Sequence, residues 1–532
     1  MAAGLAMVAG CASADDASTS DDALTGAPSY VGNAVTAALR AVDPGAEGMT
    51  WDVTTDNTLD ADFLVATPDP FHGSDVAIPR TCSDGAGCDP DFELATCAVD
   101  ADCGPSGACR AVRATVRAPG EEPRKLCVGD AETLVDDVYD LVTSTESFLD
   151  IASLSTPQGR FRAALRNGLS FLAAKNKPIA VRMVFGNYLT EPTSPPSIRA
   201  DVTRDLPAGH QLNVTVGAFR SAYDSWNHAK IVAADGERAL VGGHNMWQDD
   251  YLSRNPVSDV SMRVRGGAAG SAHRFVDALW TYTCATDWYP TTSHVVSASD
   301  GARCAAPYGA RSVARHAGNA VVIGAGRLGE AGTSNASDAA LPALLGAARK
   351  TIRLSLQDMG PPTFAGVNVA AWPTAAIREL ALALGRGVDV YVTLSNKGAR
   401  GSGGGSYSNG WQPIDVAKKI RDAARAEPSL AGQDLDTLLC THLHVTTLRH
   451  GKASTWPDGT PFQNHAKVAI VDEQAFYIGS QNLYIADLAE FGYIVDDVTA
   501  TKSLLRSLWA PEWADSSLGA VTGTEAATCL LR

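Results

Sequence analysis

Two stretches of the chain carry the same alternation of apolar and polar positions. GRFRAALRNGLSFLAAKNKPIAVRMVFGN (Gly159 to Asn187) has apolar residues at helical spacing, then a short run rich in Val. It reads as an amphipathic helix feeding a buried strand. TAAIRELALALGRGVDVYVTLSN (Thr374 to Asn396) repeats that order. A further apolar strand candidate precedes each stretch, SFLDIASLS (Ser147 to Ser155) and TIRLSLQD (Thr351 to Asp358). Downstream of each, the pattern becomes strand, turn, strand: HAKIVAA, Asp-Gly and RALVGG in one case, HAKVAIV, Asp-Glu and AFYIGS in the other. The order strand, helix, strand, hairpin therefore occurs twice. It predicts an α/β fold of two similar α/β domains, each with a central β-sheet flanked by helices. A pseudo-twofold axis would relate them, and the break falls near residues 304–330. The expected organisation is a leader and tether over 1–28, an N-terminal half over 29–320 and a C-terminal half over 321–532.

The two hairpins share more than periodicity. SWNHAKIVAADGERALVGGHN (Ser225 to Asn245) and QNHAKVAIVDEQAFYIGSQN (Gln463 to Asn482) both place a Lys two residues after a His. An Asp follows five residues later, then a Gly-Gly or Gly-Ser pair and a closing Asn. Residues two apart on a strand share a face, so each His lies beside its Lys. A lone His on a strand is ordinarily structural. Two His, two Lys and two Asn around one centre are the set that phosphodiester cleavage requires. One His attacks phosphorus and the other protonates the leaving alcohol. Lys and Asn hold the non-bridging oxygens, and the scheme calls for no metal and no cofactor. The two His must start in opposite protonation states, which their surroundings have to arrange.

Composition narrows the partners. The 532 residues include 43 basic and 59 acidic ones, a net charge of −16. Nucleic acid is therefore not an expected partner, because phosphate contacts along a duplex need clustered Lys and Arg. No stretch reaches the ~18 uninterrupted apolar residues of a membrane span. The start, MAAGLAMVAGC, resembles a lipoprotein signal with Cys11 as lipidation candidate, although it lacks a charged n-region. ASADDASTSDDALTGAP then reads as a flexible tether. Without Cys11, ten cysteines remain. Six of them (Cys82, Cys88, Cys97, Cys103, Cys109 and Cys127) crowd into a Gly-, Asp- and Pro-rich insert over 82–127. No C-x-x-C pair is present, so disulfides and an oxidising compartment are expected rather than zinc.

The repeated H-x-K-x4-D-x6-G-[GS]-x-N spacing is similar to the signature of the phospholipase D superfamily. The segments SWNHAK, GGHNMWQDDY, PVSDV, LWTYTC, GSGGGSYS, STWPDGTPF and AFYIGSQNLY resemble secreted phospholipases D of Streptomyces type. That resemblance implies hydrolysis of the distal phosphodiester of lipids such as phosphatidylcholine, and headgroup exchange with alcohols, through a phosphohistidine. His228 would be the nucleophile and His465 the general acid. Lys230, Lys467, Asn245 and Asn482 would bind phosphate. Asp259 would orient the first His, with Glu490 standing where the family has a second Asp. Gly243, Ser480, Trp247, Tyr251 and Tyr407 would line the substrate pocket, the aromatics around the headgroup. Asp235 and Asp472, at turn positions, are expected to be structural. The resemblance also implies the disulfides Cys284 with Cys304 and Cys440 with Cys529. It implies a monomer acting on a phospholipid membrane surface, with water or alcohol as acceptor. The enzyme would be secreted or lipid-anchored on the bacterial surface or periplasmic side.

Other motifs receive plainer readings. His442 and His444 in HLH could share a strand face as metal ligands, but no third ligand accompanies them. GSGGGS lacks the Gly-Lys-Ser/Thr of a P-loop and reads as a mobile loop over the site. Competing functions are a nuclease or other phosphodiesterase of the same superfamily, a synthase of cardiolipin type, and a surface-binding module without catalysis.

Overall fold

The computed structural model describes residues 26–67, 77–82, 87–188, 192–222, 224–285, 296–302, 304–309, 316–331, 335–364, 367–368 and 370–532. The candidate leader and Cys11 lie outside these residues.

Two large sheets carry the fold. The first runs in the order Val296–Ala298, Leu212–Ala222, Ile179–Gly186, Phe148–Ser153, Ile231–Ala234, Arg238–Gly242, Asp259–Arg265, Leu64–Thr67. The second runs Leu443–Thr447, Asp389–Leu394, Thr351–Leu356, Lys467–Val471, Ala475–Gly479, Ala489–Asp496, Ala320–Leu328, Trp51–Asn57. In each, three parallel strands lead into an antiparallel run that starts at the hairpin. The repeat seen in the sequence is thus a repeat of topology. Amphipathic helices form the crossovers. Gly159–Ala174 buries Phe161, Ala164, Leu165, Leu169 and Leu172, and Thr374–Gly385 buries Ile377, Leu380, Ala381 and Leu384.

The sheets face each other across a shared apolar core. Ile231, Val241, Val260, Met262 and Phe275 of the first half pack there with Val468, Ile470, Phe476, Ile478 and Phe491 of the second. Phe275 stacks on Phe491 with ring centroids 5.0 Å apart. Separate apolar layers lie under the outer helices of each half.

Three expectations change. The helix Tyr30–Val42 and the strand Trp51–Asn57 belong with the second sheet, where Trp51–Asn57 pairs with Ala320–Leu328, although they fall within the expected N-terminal half, 29–320. The buried faces Val31, Val35 and Leu39 have their apolar partners there, and packing overrides chain order. The hairpin ladders begin at Ile231 and Lys467, so His228 stands ahead of its own strand. Finally, His442 closes the helix Leu435–His442 while His444 lies on the next strand, so they do not share a strand face. His442 pairs with Asp389 at 2.7 Å, and His444 pairs with Glu525 and stacks on Tyr391.

Five disulfides are present: Cys82–Cys88, Cys97–Cys109, Cys103–Cys127, Cys284–Cys304 and Cys440–Cys529. The insert does not stand alone. Its Phe92, Leu94, Val112 and Leu126 are buried in the outer core of the first half, with Leu134 and Leu165.

Candidate active site

Each hairpin is docked by the Asp of its motif. Asp235 sits at its turn with φ +56° and accepts from the backbone N–H groups of Glu146, Ser147 and Phe148 at 2.7, 2.8 and 2.8 Å. Asp472, at φ +53°, does the same for Arg349, Lys350 and Thr351 at 2.6, 2.7 and 2.8 Å, and also accepts from the Tyr30 hydroxyl. Asp tolerates the left-handed region better than most residues. Both carboxylates therefore clamp a turn to the head of the first parallel strand. Among the described residues, neither carboxylate has a hydrogen bond to the His-Lys-Asn sets.

Ahead of each hairpin the chain crosses to the other half. The His228 N–H donates to the carbonyl of Ala489 at 2.8 Å, and the His465 N–H donates to that of Ser258 at 2.7 Å. This exchange decides which carboxylate each imidazole meets. His228 Nδ1 lies 2.9 Å from Glu490 Oε2, and His465 Nδ1 lies 2.6 Å from Asp259 Oδ2. The expected pairing of Asp259 with the first His is corrected: Asp259 serves His465, and Glu490 serves His228. A carboxylate accepts, so each Nδ1 carries the proton and each Nε2 is left for chemistry.

The carboxylates have their own supports. Glu490 accepts from the Ser480 hydroxyl, and Asp259 accepts from the Tyr251 hydroxyl at 2.8 Å. At Gly243, the position matching Ser480, a Cβ would run into Asp259, which explains Gly in one motif and Ser in the other. The Gly243 and Ser480 N–H groups donate to Val260 and Phe491. These two residues, expected on the substrate, therefore abut the carboxylates instead. Tyr251 is likewise fully buried, and Tyr407 is 2% exposed with its hydroxyl donated to Asp250 at 2.7 Å. Of the three aromatics expected around a headgroup, only Trp247 keeps open surface; its indole N–H donates to Ser155.

Lys230 and Lys467 donate back to the carbonyls of His228 and His465. The Asn245 and Asn482 side chains are buried, and each has an amide oxygen without a hydrogen bond among the described residues. Burial dominates the electrostatics. It lowers Lys230 to about 7 and Lys467 to about 8, even against the nearby Glu490 and Asp259. Burial also lowers His228, opposed by Glu490, and lowers His465 well below the usual histidine value, helped by Lys467 and Lys230. For Glu490, burial pushes the carboxyl up, but His228 and Lys230 outweigh it and hold it low. A bound anion would favour the charged form of both buried lysines.

Several supporting residues were not singled out from sequence. Asn227 and Asn464, each just before a His, pin the two segments. Asn227 Nδ2 donates to the Ser153 carbonyl at 2.8 Å, and Asn464 Nδ2 donates to the Ser355 hydroxyl at 3.0 Å. The repeated NHAK carried that signal. Tyr484 stands nineteen residues after His465, as Trp247 does after His228. Its hydroxyl lies 2.9 Å from the Asn482 amide.

Comparison with known proteins agrees with the duplicated motif. The chain is 29% identical to "Phospholipase D" of Streptomyces antibioticus over 542 residues, covering 92% of this chain and 88% of that one. The similarity to that phospholipase D thus extends over most of both chains. No family model matches it. Among solved structures it is similar to phosphatidylserine synthase of Haemophilus influenzae, with a TM-score of 0.45 and 13% identity over 72% of this chain and 83% of that one. It also overlaps Nuc, a phospholipase D family member from Salmonella typhimurium, with a TM-score of 0.21 and 18% identity over 33% of this chain and 86% of the other. In this chain the geometry brings together the two His-Lys-Asn sets and the crossed carboxylates.

Proposed function

We propose that the chain is a phospholipase D that cleaves the distal phosphodiester of glycerophospholipids such as phosphatidylcholine, releasing phosphatidate and the headgroup alcohol. The observation that carries this reading is the pair of buried imidazole–carboxylate couples, one His from each motif with its carboxylate from the other half. In the first step His228 Nε2 bonds to phosphorus while the bond from phosphorus to the headgroup oxygen breaks. The departing oxygen keeps the electron pair and takes a proton from His465 Nε2, a proton that the bound phosphate anion lets His465 carry despite its burial and the nearby lysines. In the second step water or an alcohol gives a proton to His465 as its oxygen bonds to phosphorus. The phosphorus–nitrogen bond then breaks, freeing phosphatidate or an exchanged lipid and restoring His228.

Glu490 and Asp259 stabilise the imidazolium forms, and Lys230, Lys467, Asn245 and Asn482 hold the non-bridging oxygens. Trp247 offers an aromatic face to a quaternary ammonium, a contact worth ~0.5–2 kcal/mol. The enzyme acts as a monomer at a phospholipid surface outside the cytosol, in keeping with five disulfides. Among the described residues, no helix is long and apolar enough to cross a membrane. Assaying phosphatidylcholine and single-stranded DNA side by side tests the reading. Choline release with intact DNA is expected; DNA cleavage without choline release would overturn it.

A further inference from the structure

The Gly-rich loop of the second half is held by a side chain of the first. Asp250 is 2% exposed and follows the first motif. Its Oδ1 accepts from the Gly403 N–H at 2.9 Å, and its Oδ2 accepts from the Tyr407 hydroxyl at 2.7 Å. Both donors belong to the loop. The loop is itself a tight turn, with Gly401 N–H on Gly405 and Gly404 N–H on Gly401, both at 2.9 Å. Gly401 is required by the approach: a Cβ there would collide with Asp250 and the Tyr407 ring. The second motif has its own Asp at the matching place, Asp487, twenty-two residues after the His in both cases. Asp487 is 52% exposed and pairs with Arg327, so the arrangement is one-sided.

What the loop delivers is an aromatic wall for one histidine. The Tyr407 ring stands edge-on to His465, with centroids 5.0 Å apart at 89°. Tyr251, which donates to Asp259, also lies 3.2 Å from His465 Nδ1. Among the ring contacts of the described residues, none places a Tyr407-like wall on His228. We infer that Asp250 is a positioning residue: it latches the Gly-rich loop across the two halves so that Tyr407 sets the orientation of His465 for protonating the departing headgroup. This rests on the reading of His465 as the general acid. Asp250 is buried, and the two hydrogen bonds from the loop satisfy a carboxylate that burial would otherwise leave costly.

Leaving-group chemistry separates positioning from general damage. Choline leaves as an alkoxide that needs a proton, whereas p-nitrophenolate leaves largely without one. The experiment compares single-turnover choline release from phosphatidylcholine with the burst of p-nitrophenolate from phosphatidyl-p-nitrophenol, using the full chain. Asp250→Asn should slow choline release ~10–100-fold and the nitrophenolate burst less than ~3-fold. Tyr407→Phe should show the same selectivity, and the double variant should lose little more than either single one. Equal losses on both substrates, or multiplying losses in the double variant, would overturn the latch. His465→Ala is the control for the underlying reading. If it too loses both substrates equally, the acid assignment falls and the latch with it. If His465→Ala is selective while Asp250→Asn is not, the latch alone is wrong. Should Asp250→Asn not fold, Tyr407→Phe and Gly401→Ala make the same comparison with the carboxylate intact.

Discussion

At the scale of single residues, the crossed couples give the two carboxylates different tasks. Glu490→Gln should weaken attack by His228, and Asp259→Asn should weaken protonation by His465, each by ~10²–10⁴-fold on phosphatidylcholine. Acid-quench trapping of the phosphoenzyme distinguishes them. Asp259→Asn should still accumulate it from an activated ester, while Glu490→Gln should form it slowly from any ester. Trapping that responds to the two variants the other way round would exchange the roles of the histidines. The buried lysines make a second prediction. With Lys230 lowered to about 7 and Lys467 to about 8, both are partly neutral at pH 8. A bound anion favours the protonated form and raises both values, so inorganic phosphate should bind with net proton uptake. Calorimetry at pH 8 in two buffers of different ionisation enthalpy measures that uptake, which should fall in Lys230→Met. Proton release on binding would contradict the assigned charge states.

At the scale of elements, the hairpin turns decide whether the histidines arrive in place. Each turn is fixed by one carboxylate on three consecutive backbone N–H groups. Hydrogen bonds to a charged group contribute ~1.5–3 kcal/mol each when buried, and less at these half-exposed turns. Asp235→Ala should therefore cost on the order of 2–3 kcal/mol of stability, through lost bonds and a left-handed backbone that Ala tolerates poorly. Asp235→Asn keeps the backbone tolerance and should cost about half as much. Thermal unfolding checks both, and kcat of the folded fraction should stay near wild type at low temperature. A large loss of kcat without loss of stability would place Asp235 in the chemistry.

At the scale of the whole molecule, two halves share one core and one site, so cross-links and charge act on the assembly. Denatured, unreduced mature protein should contain essentially no titratable thiol, since ten cysteines are paired. Two or more thiols would break that framework. Turnover of a soluble short-chain lipid should survive EDTA, because Lys230 and Lys467 supply the positive charge at phosphorus that a metal would otherwise bring. Complete loss restored by zinc would assign that charge to a metal.

The duplicated NHAK hairpins, the strand–helix–strand order before them and the ten cysteines beyond Cys11 were legible in the chain, because side-chain periodicity and motif spacing are local properties. From these came the α/β class, the repeat and the His-Lys-Asn sets. The partner of each histidine was not legible. His228 meets a carboxylate 262 positions away and His465 one 206 positions away, and both matches depend on two segments crossing between sheets. The same holds for Asp250 and Tyr407, 157 positions apart, and for Trp51–Asn57, whose sheet lies in the other half. Such pairings are set by how two apolar faces close on one another, and sequence spacing carries no record of that closure.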